Sequence, residues 1–168
     1  MRILKRMNLF IILSFLIVST INAKTIDNSK SLYNVKNVNV AVMVDFTDIS
    51  TTAFYLNVLE ETYDTFKQLN IEPKMVVVFV GKTVTFLSSQ QDEQFELENR
   101  EHLNSIRNSI KKLSDKGIRT EVCAYATKVF NIDNDTLPKE SYLVTNGFVS
   151  YIGYQAQGYQ TLPIFQTP

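Results

Sequence analysis

The sequence predicts an α/β domain: a three-layer α/β/α sandwich with a mostly parallel sheet of about five strands, flavodoxin-like in outline. Three observations carry this expectation. Residues 75–80 (MVVVFV) form an unbroken apolar run, the pattern of a strand buried on both faces of a parallel sheet. Residues 51–70 and 99–116 repeat apolar side chains at spacings of three and four, the stripe of an amphipathic helix. Strand-like and helix-like segments also alternate along the chain, as βαβ units do.

Each element follows in order. Arg2, Lys5 and Arg6 precede an apolar run over 9–18, and Ile21-Asn22-Ala23 closes the segment. A basic start, a short apolar stretch and a small final residue describe a secretory signal peptide over 1–23. The run is too short for a bilayer span of about 20 residues, so membrane contact is expected only through the leader before cleavage. Residues 24–36 are polar and read as a flexible lead-in. Residues 38–46 (VNVAVMVDF) form a first strand. A helix over 51–70 follows, with Leu56, Leu59, Tyr63, Phe66 and Leu69 on one face and Pro73 beyond its end. The strand over 75–80 ends at Gly81. Residues 82–87 fit a short strand or a helical turn, and 88–96 read as a polar loop. In the second helix, over 99–116, Lys111, Lys112 and Lys116 suit the negative C-terminal end, and Gly117 suits the position after it. Residues 118–123 form the third strand, 124–130 a short helix and 131–140 a loop. A fourth strand over 142–145, a helix over 146–157 and a last short strand over 161–165 complete the chain.

Composition limits the function classes. With 168 residues, 45% apolar and 20% charged, the chain has the mix of one globular domain. Lys+Arg and Asp+Glu are 17 each, so no basic excess points to nucleic acid. Losing residues 1–23 removes three basic residues and no acidic ones, which leaves a mild acidic excess. One Cys makes no intramolecular disulfide, and one His leaves little for a zinc site. No metal and no cofactor are expected.

In such a sheet, sites lie at the carboxyl ends of the strands. Those ends supply Asp45, Thr47 and Asp48, then Gly81 and Lys82, then Cys123, Tyr125 and Lys128. Cys123 ends a strand where a helix begins, and amides at a helix N-terminus stabilise a thiolate. Against this stands the habit of free Cys to fill core space. Alternation puts Cys123 on the strand face of Arg119 and Glu121, which hints at polar surroundings. His102 starts the second helix on roughly the same edge, and more simply reads as an ordinary helix residue. Asp45 and Asp48 read foremost as turn and capping residues, and as acid, base or metal ligands only in a minor reading with Lys82. Gly81-Lys82-Thr83 imitates the end of a P-loop, but Val76 stands where that motif needs Gly. The C-terminal aromatics (Tyr142, Phe148, Tyr151, Tyr154, Tyr159, Phe165) fit either a helix core face or a subunit interface.

Three segments resemble the DsrE/DsrF-like family. MVVVFVGKTV is similar to its strand-Gly segment. LSDKGIRTEVCAYATKVFNI is similar to its helix, Gly, strand, Cys and short helix. GFVSYIGYQAQGYQTLPIF is similar to its closing helix, Gly-Tyr and short strand. Their order and spacing make the resemblance, which covers roughly 38–165 and marks 37–168 as the family domain. It implies a compact α/β/α domain that assembles into homo- or hetero-oligomers. For some members it also implies sulfur relay, in which a Cys after the third strand accepts sulfane sulfur as a persulfide. Cys123 stands at that position, and the carboxyl edge of the sheet adds Lys128, Tyr125, Gly81, Lys82 and Asp45 as candidate binding residues. The chain has no second Cys, so relay needs a sulfur donor or acceptor protein as partner. With its leader the chain is expected to be exported, periplasmic in a Gram-negative host. The rival expectation is an exported oligomeric binding or assembly module whose Cys is buried and inert.

Overall fold

The computed structural model describes residues 27–165, so the leader expected over 1–23 lies outside the described residues. The chain divides into a unit over Met1–Tyr33 and a unit over Asn34–Pro168. In the described part of the first, Ser29 donates from its N–H and its Oγ to Asp27 Oδ1, within a run of turns.

The second unit carries the fold. Its strands are β1 (Asn37–Val44), β2 (Glu72–Phe79), β3 (Arg119–Cys123), β4 (Tyr142–Val144) and β5 (Gln160–Thr161). Its helices are α1 (Ile49–Gln68), α2 (Glu93–Asp115), α3 (Ala124–Val129) and α4 (Gly147–Ala156). Among the described residues the five strands make one sheet, in the order β4-β3-β2-β1-β5 and parallel throughout. The layering is that of flavodoxins, but their order is 2-1-3-4-5. Here the chain steps outward from β1 to β4 and then returns past β1 to place β5.

The expected elements are present, with shifted ends. Residues 82–87 take the helical alternative: Gly81–Phe86 is a 3-10 turn. The helix expected to start at Asn99 begins at Glu93, because Asp92 caps it by accepting from Phe95 N–H at 3.1 Å. Asn99 still marks a break, with φ −118° and ψ 17° inside α2, and its Nδ2 donates to Phe95 O. The periodic stripe of Leu103, Ile106, Ile110 and Leu113 begins after that break, which is why residues 93–96 read as loop. The final strand is shorter than expected and lies earlier, at Gln160–Thr161. It pairs only with Val40 and Ala41, and Pro163 follows.

The sheet's two faces are covered unequally. On one, α1 and α2 lie side by side, joined by Lys116 Nζ to Asp64 at 2.6 Å, Tyr63 OH to Lys116 O at 3.0 Å and Ser109 Oγ to Asn57 Oδ1 at 3.1 Å. The two crossovers β1-α1-β2 and β2-α2-β3 step the same way across the sheet, and the right-handed rule for such connections puts both helices on the same side. On the other face α4 packs against β1, β2 and β3. Between them Val42, Val44, Val77, Phe79 and Val122 are fully buried. A two-sided cover is the reason residues 75–80 are apolar without alternation.

The break at Asn99 makes a testable statement. Asp92→Ala is expected to cost about 1 kcal/mol. Amide hydrogen exchange should quicken over 93–98 and stay unchanged over 103–115. Faster exchange along all of α2 would mean that the two segments melt as one.

Candidate functional site

At the carboxyl edge the register sets the site residues in a row. Val44, Phe79 and Val122 are aligned across β1, β2 and β3. One residue further stand Asp45, Val80 and Cys123, and Cys123 aligns with Val144 of β4. Asp45 and Cys123 are therefore two strand spacings apart, about 10 Å. The edge holds two separate groups of candidate residues.

The first group surrounds Asp45. Gly81 has φ +56°, and a Cβ placed on it would lie 1.9 Å from Asp45 Oδ1. The carboxylate thus occupies the space a side chain would need, and a residue without one is required there. Thr83 ties the neighbouring loop down: its Oγ1 accepts from Phe46 N–H at 2.6 Å and donates to Phe46 O at 3.0 Å. Thr83 entered the sequence reading only as part of a failed P-loop, and its fully buried hydroxyl explains its identity better. Beside this lies an open cleft of about 460 Å³ lined by Thr47, Asp48, Lys82, Phe86, Asp92 and Phe95 among others. Lys82 stands exposed at its rim. Asp48 is a helix cap, as expected: Oδ2 accepts from Thr51 N–H and Ser50 Oγ, each at 2.6 Å. The Ser50 and Thr51 hydrogen bonds hold its carboxyl well below the ordinary range, at about 2, with a small contribution from His102. His102 stands half-buried on α2, three residues after the break at Asn99.

The second group surrounds Cys123. The thiol residue precedes α3 as its N-cap, with φ −73° and ψ 110°, but its side chain makes no capping hydrogen bond. Only 2% of the residue is exposed, and it belongs to the main core cluster. Its cover is the first turn of α4. A Cβ on Gly147 would lie 2.5 Å from Val80 Cγ1, 3.1 Å from Cys123 Cβ and 3.2 Å from Val78 Cγ1. Asn146 fixes the start of that turn by accepting from Phe148 N–H at 3.0 Å. Tyr125 is 65% exposed, and its N–H donates to Thr145 O at 3.2 Å, which joins α3 to the end of β4. Lys128 is exposed in the last turn of α3, about 7 Å along the axis from Cys123. From there it faces the helix's negative end.

The polar face hinted at by Arg119 and Glu121 takes an unexpected form. The Glu121 side chain is 3% exposed, and both its oxygens are used. Oε1 accepts from Arg119 Nε at 2.6 Å and from Tyr154 OH at 2.8 Å, and Oε2 accepts from Ser150 Oγ. Arg119 in turn lies 3.7 Å above the ring of Tyr142. Burial, and the hydrogen bond that the protonated hydroxyl gives Glu121, push Tyr154 up to about 12. A charged carboxylate is tolerated at this depth because it is paired and hydrogen-bonded. Sequence alternation located Glu121 on the face of Cys123, but no local signal foretold that Ser150 and Tyr154 would close over it.

These features define an α/β/α protein with one buried thiol at the carboxyl edge of a parallel sheet. The sequence profile of the DsrE/DsrF-like family matches residues 37–164, and the chain belongs to that family. At the level of the family this suggests a function of the sulfur-relay type. Two solved structures share the fold. The protein of unknown function MTH1491 from Methanobacterium thermoautotrophicum aligns with a TM-score of 0.59 at 15% identity, over 74% of this chain and 97% of its own. The conserved protein of unknown function BT1422 from Bacteroides thetaiotaomicron aligns with a TM-score of 0.54 at 13% identity, over 75% of this chain and 94% of its own. No curated protein sequence matches the chain.

Two outcomes follow from the geometry. Gly147→Ala should lower stability by about 1–3 kcal/mol in urea unfolding, since the added methyl overpacks against Val80 and Cys123. Alanine's better helix propensity, about 1 kcal/mol, would win only if α4 were loosely seated, and a stabilised variant would show that. Asp48 has a depressed folded pKa, so its ionised form contributes stability above the unfolded value of about 3.9. That contribution is lost as pH falls towards about 2. Between about pH 4 and pH 2, the stability gap between the native chain and Asp48→Asn should close.

Proposed function

We propose that the protein is a sulfur carrier in which Cys123 accepts sulfane sulfur as a persulfide and hands it to a partner protein. The supporting observation is the place of the thiol, at the junction of β3 and α3 on the carboxyl edge, in a chain of the DsrE/DsrF-like family. In the first step the Cys123 thiolate attacks the outer sulfur of a donor persulfide R–S–SH. A new S–S bond forms on Cys123 as the donor's S–S bond breaks, and the donor leaves as the thiolate R–S⁻ with the bonding electron pair. In the second step a partner thiolate takes the outer sulfur, and Cys123 departs as thiolate. Oxidation level is conserved throughout, so no external oxidant or reductant enters. A second cysteine in the partner, or a small thiol, completes the relay.

The 2% exposure of Cys123 shapes this mechanism. The added sulfur sits about 2 Å beyond the first, and the first turn of α4 must yield to admit it. The binding residues group accordingly. Tyr125 and Lys128 lie on α3, the helix that the thiol residue caps, whereas Asp45, Gly81 and Lys82 stand at the other end of the row. Residues 1–23 support export, with a periplasmic site in a Gram-negative host.

A second reading has its own observation. The helix α4 carries no charged residue, and its outward residues Phe148, Val149 and Ile152 are 52%, 66% and 61% exposed. A contiguous exposed apolar patch marks an interaction surface. This favours assembly of identical chains through α4, with Cys123 as core filling beneath the interface.

One experiment separates the readings. The purified chain is incubated with a low-molecular-weight persulfide, and its intact mass is measured before and after reduction. The carrier gains the mass of one sulfur atom, loses it on reduction, and gains nothing as Cys123→Ser, whose melting temperature stays within a few degrees. A native chain that takes up no sulfur, with a Cys123→Ser variant that unfolds, makes the thiol a packing residue.

A further inference from the structure

We propose that Glu121 is a positioning residue for Cys123: its buried carboxylate latches α4 to β3 and so keeps the first turn of α4 closed over the thiol. The inference rests on the reading of Cys123 as the reacting group, and it adds the element that governs access to it.

The argument starts from two periodicities. Along β3, residues 119, 121 and 123 share one face. Along α4, residues 147, 150 and 154 share one side at spacings of three and four. The two sets meet in order. Gly147 lies against Cys123, while Ser150 and Tyr154 donate their hydroxyl hydrogens to Glu121. The residues that cover the thiol and those that grip the carboxylate therefore belong to one rigid helix of ten residues. Closure at one end fixes the other.

The rest of α4 offers little comparable hold. The helix has no charged side chain for an ion pair, and Tyr151 is its one buried side chain, beside the buried backbone of Gly147. Its outer residues, Phe148, Val149 and Ile152, are exposed. Hydrogen bonds to an ionised acceptor are about twice as strong as neutral ones, so the two hydroxyl bonds to Glu121 are the strong polar attachments of the helix. Arg119 pairs with the carboxylate from the solvent side, with Nε 2.6 Å from Oε1, and is itself braced on Tyr142. Neutralising Glu121 weakens both hydroxyl bonds together. Each lost bond makes outward movement of the first turn easier, and with it exposure of Cys123.

The test is the rate at which iodoacetamide alkylates Cys123 in the native full chain. It compares Glu121→Gln, Tyr154→Phe and Ser150→Ala with Ile106→Val, a control beneath α2 on the opposite face of the sheet. Global stability is measured for each by urea unfolding. Tyr154→Phe should raise the rate about tenfold, the equivalent of one hydrogen bond to a charged group, and Glu121→Gln should raise it further. Ile106→Val should leave it within about twofold at a similar global stability. Equal rates in all variants, or a rise in the control that matches its loss of stability, would overturn the latch. If Glu121→Gln does not fold, Tyr154→Phe and Ser150→Ala decide alone. The two claims fail separately. Faster alkylation in a chain that never takes up sulfur leaves the latch standing and removes the carrier. Sulfur uptake with alkylation indifferent to these variants does the reverse.

Discussion

The close approach of the α4 backbone to the sheet at Gly147 is the constraint on which the rest of the site depends. One helix covers the centre of a sheet face whose opposite side carries two long ones. It does so at a distance that leaves no room for a single methyl group over Val80, Val78 and Cys123. That contact buries the thiol, fixes where α4 begins, and brings Ser150 and Tyr154 over Glu121. Because close-packed interiors respond to one methylene, the contact is either made in full or broken. A thiol beneath it is correspondingly either shielded or presented.

The electrostatics of the face reinforce this arrangement. Glu121 is a charge set deep in an apolar layer, and the structure compensates it with a guanidinium and two hydroxyls. Such a cluster contributes less to stability than an apolar replacement of the same shape often would. It ties α4 to β3 through both carboxylate oxygens. On the other half of the edge, Asp48 and Asp92 spend their carboxylates on helix caps. The cleft between them is therefore furnished mainly by Lys82 and the Phe86–Phe95 pair, whose ring centroids are 6.2 Å apart. The two halves are about 10 Å apart and differ in make-up: one anchors loops, the other holds the buried thiol beneath α4.

Much of this fold was legible in the sequence because its determinants are local. The run over 75–80, the stripes from Leu56 to Leu69 and from Leu103 to Leu113, and Gly117 after the second long helix all act within a few residues. The edges were harder to read. Residues 93–98 form a helix on the strength of one Asp cap and stop being continuous with the next turn at Asn99, which a polar composition conceals. Strand order depends on which crossover returns past β1, and no periodicity encodes that. Within the site, Cys123 could be located from the strand and helix on either side of it. Its burial could not, because Gly147 arrives from 24 positions further on. Glu121 looked like the mark of a solvent-facing strand until Ser150 and Tyr154, far off in sequence, met it. A charge at a strand position carries opposite meanings with and without partners, and partners are a tertiary property.

The most direct test of the account is amide hydrogen exchange across α4, with Cys123 as free thiol and then carrying one added sulfur. If α4 must yield for the thiol to react, the sulfur-loaded chain exchanges faster at residues 147–151 and at an unchanged rate in α1 and α2. Equal protection of α4 in the two forms would contradict it, since the added sulfur would then be held without displacing the helix that covers it.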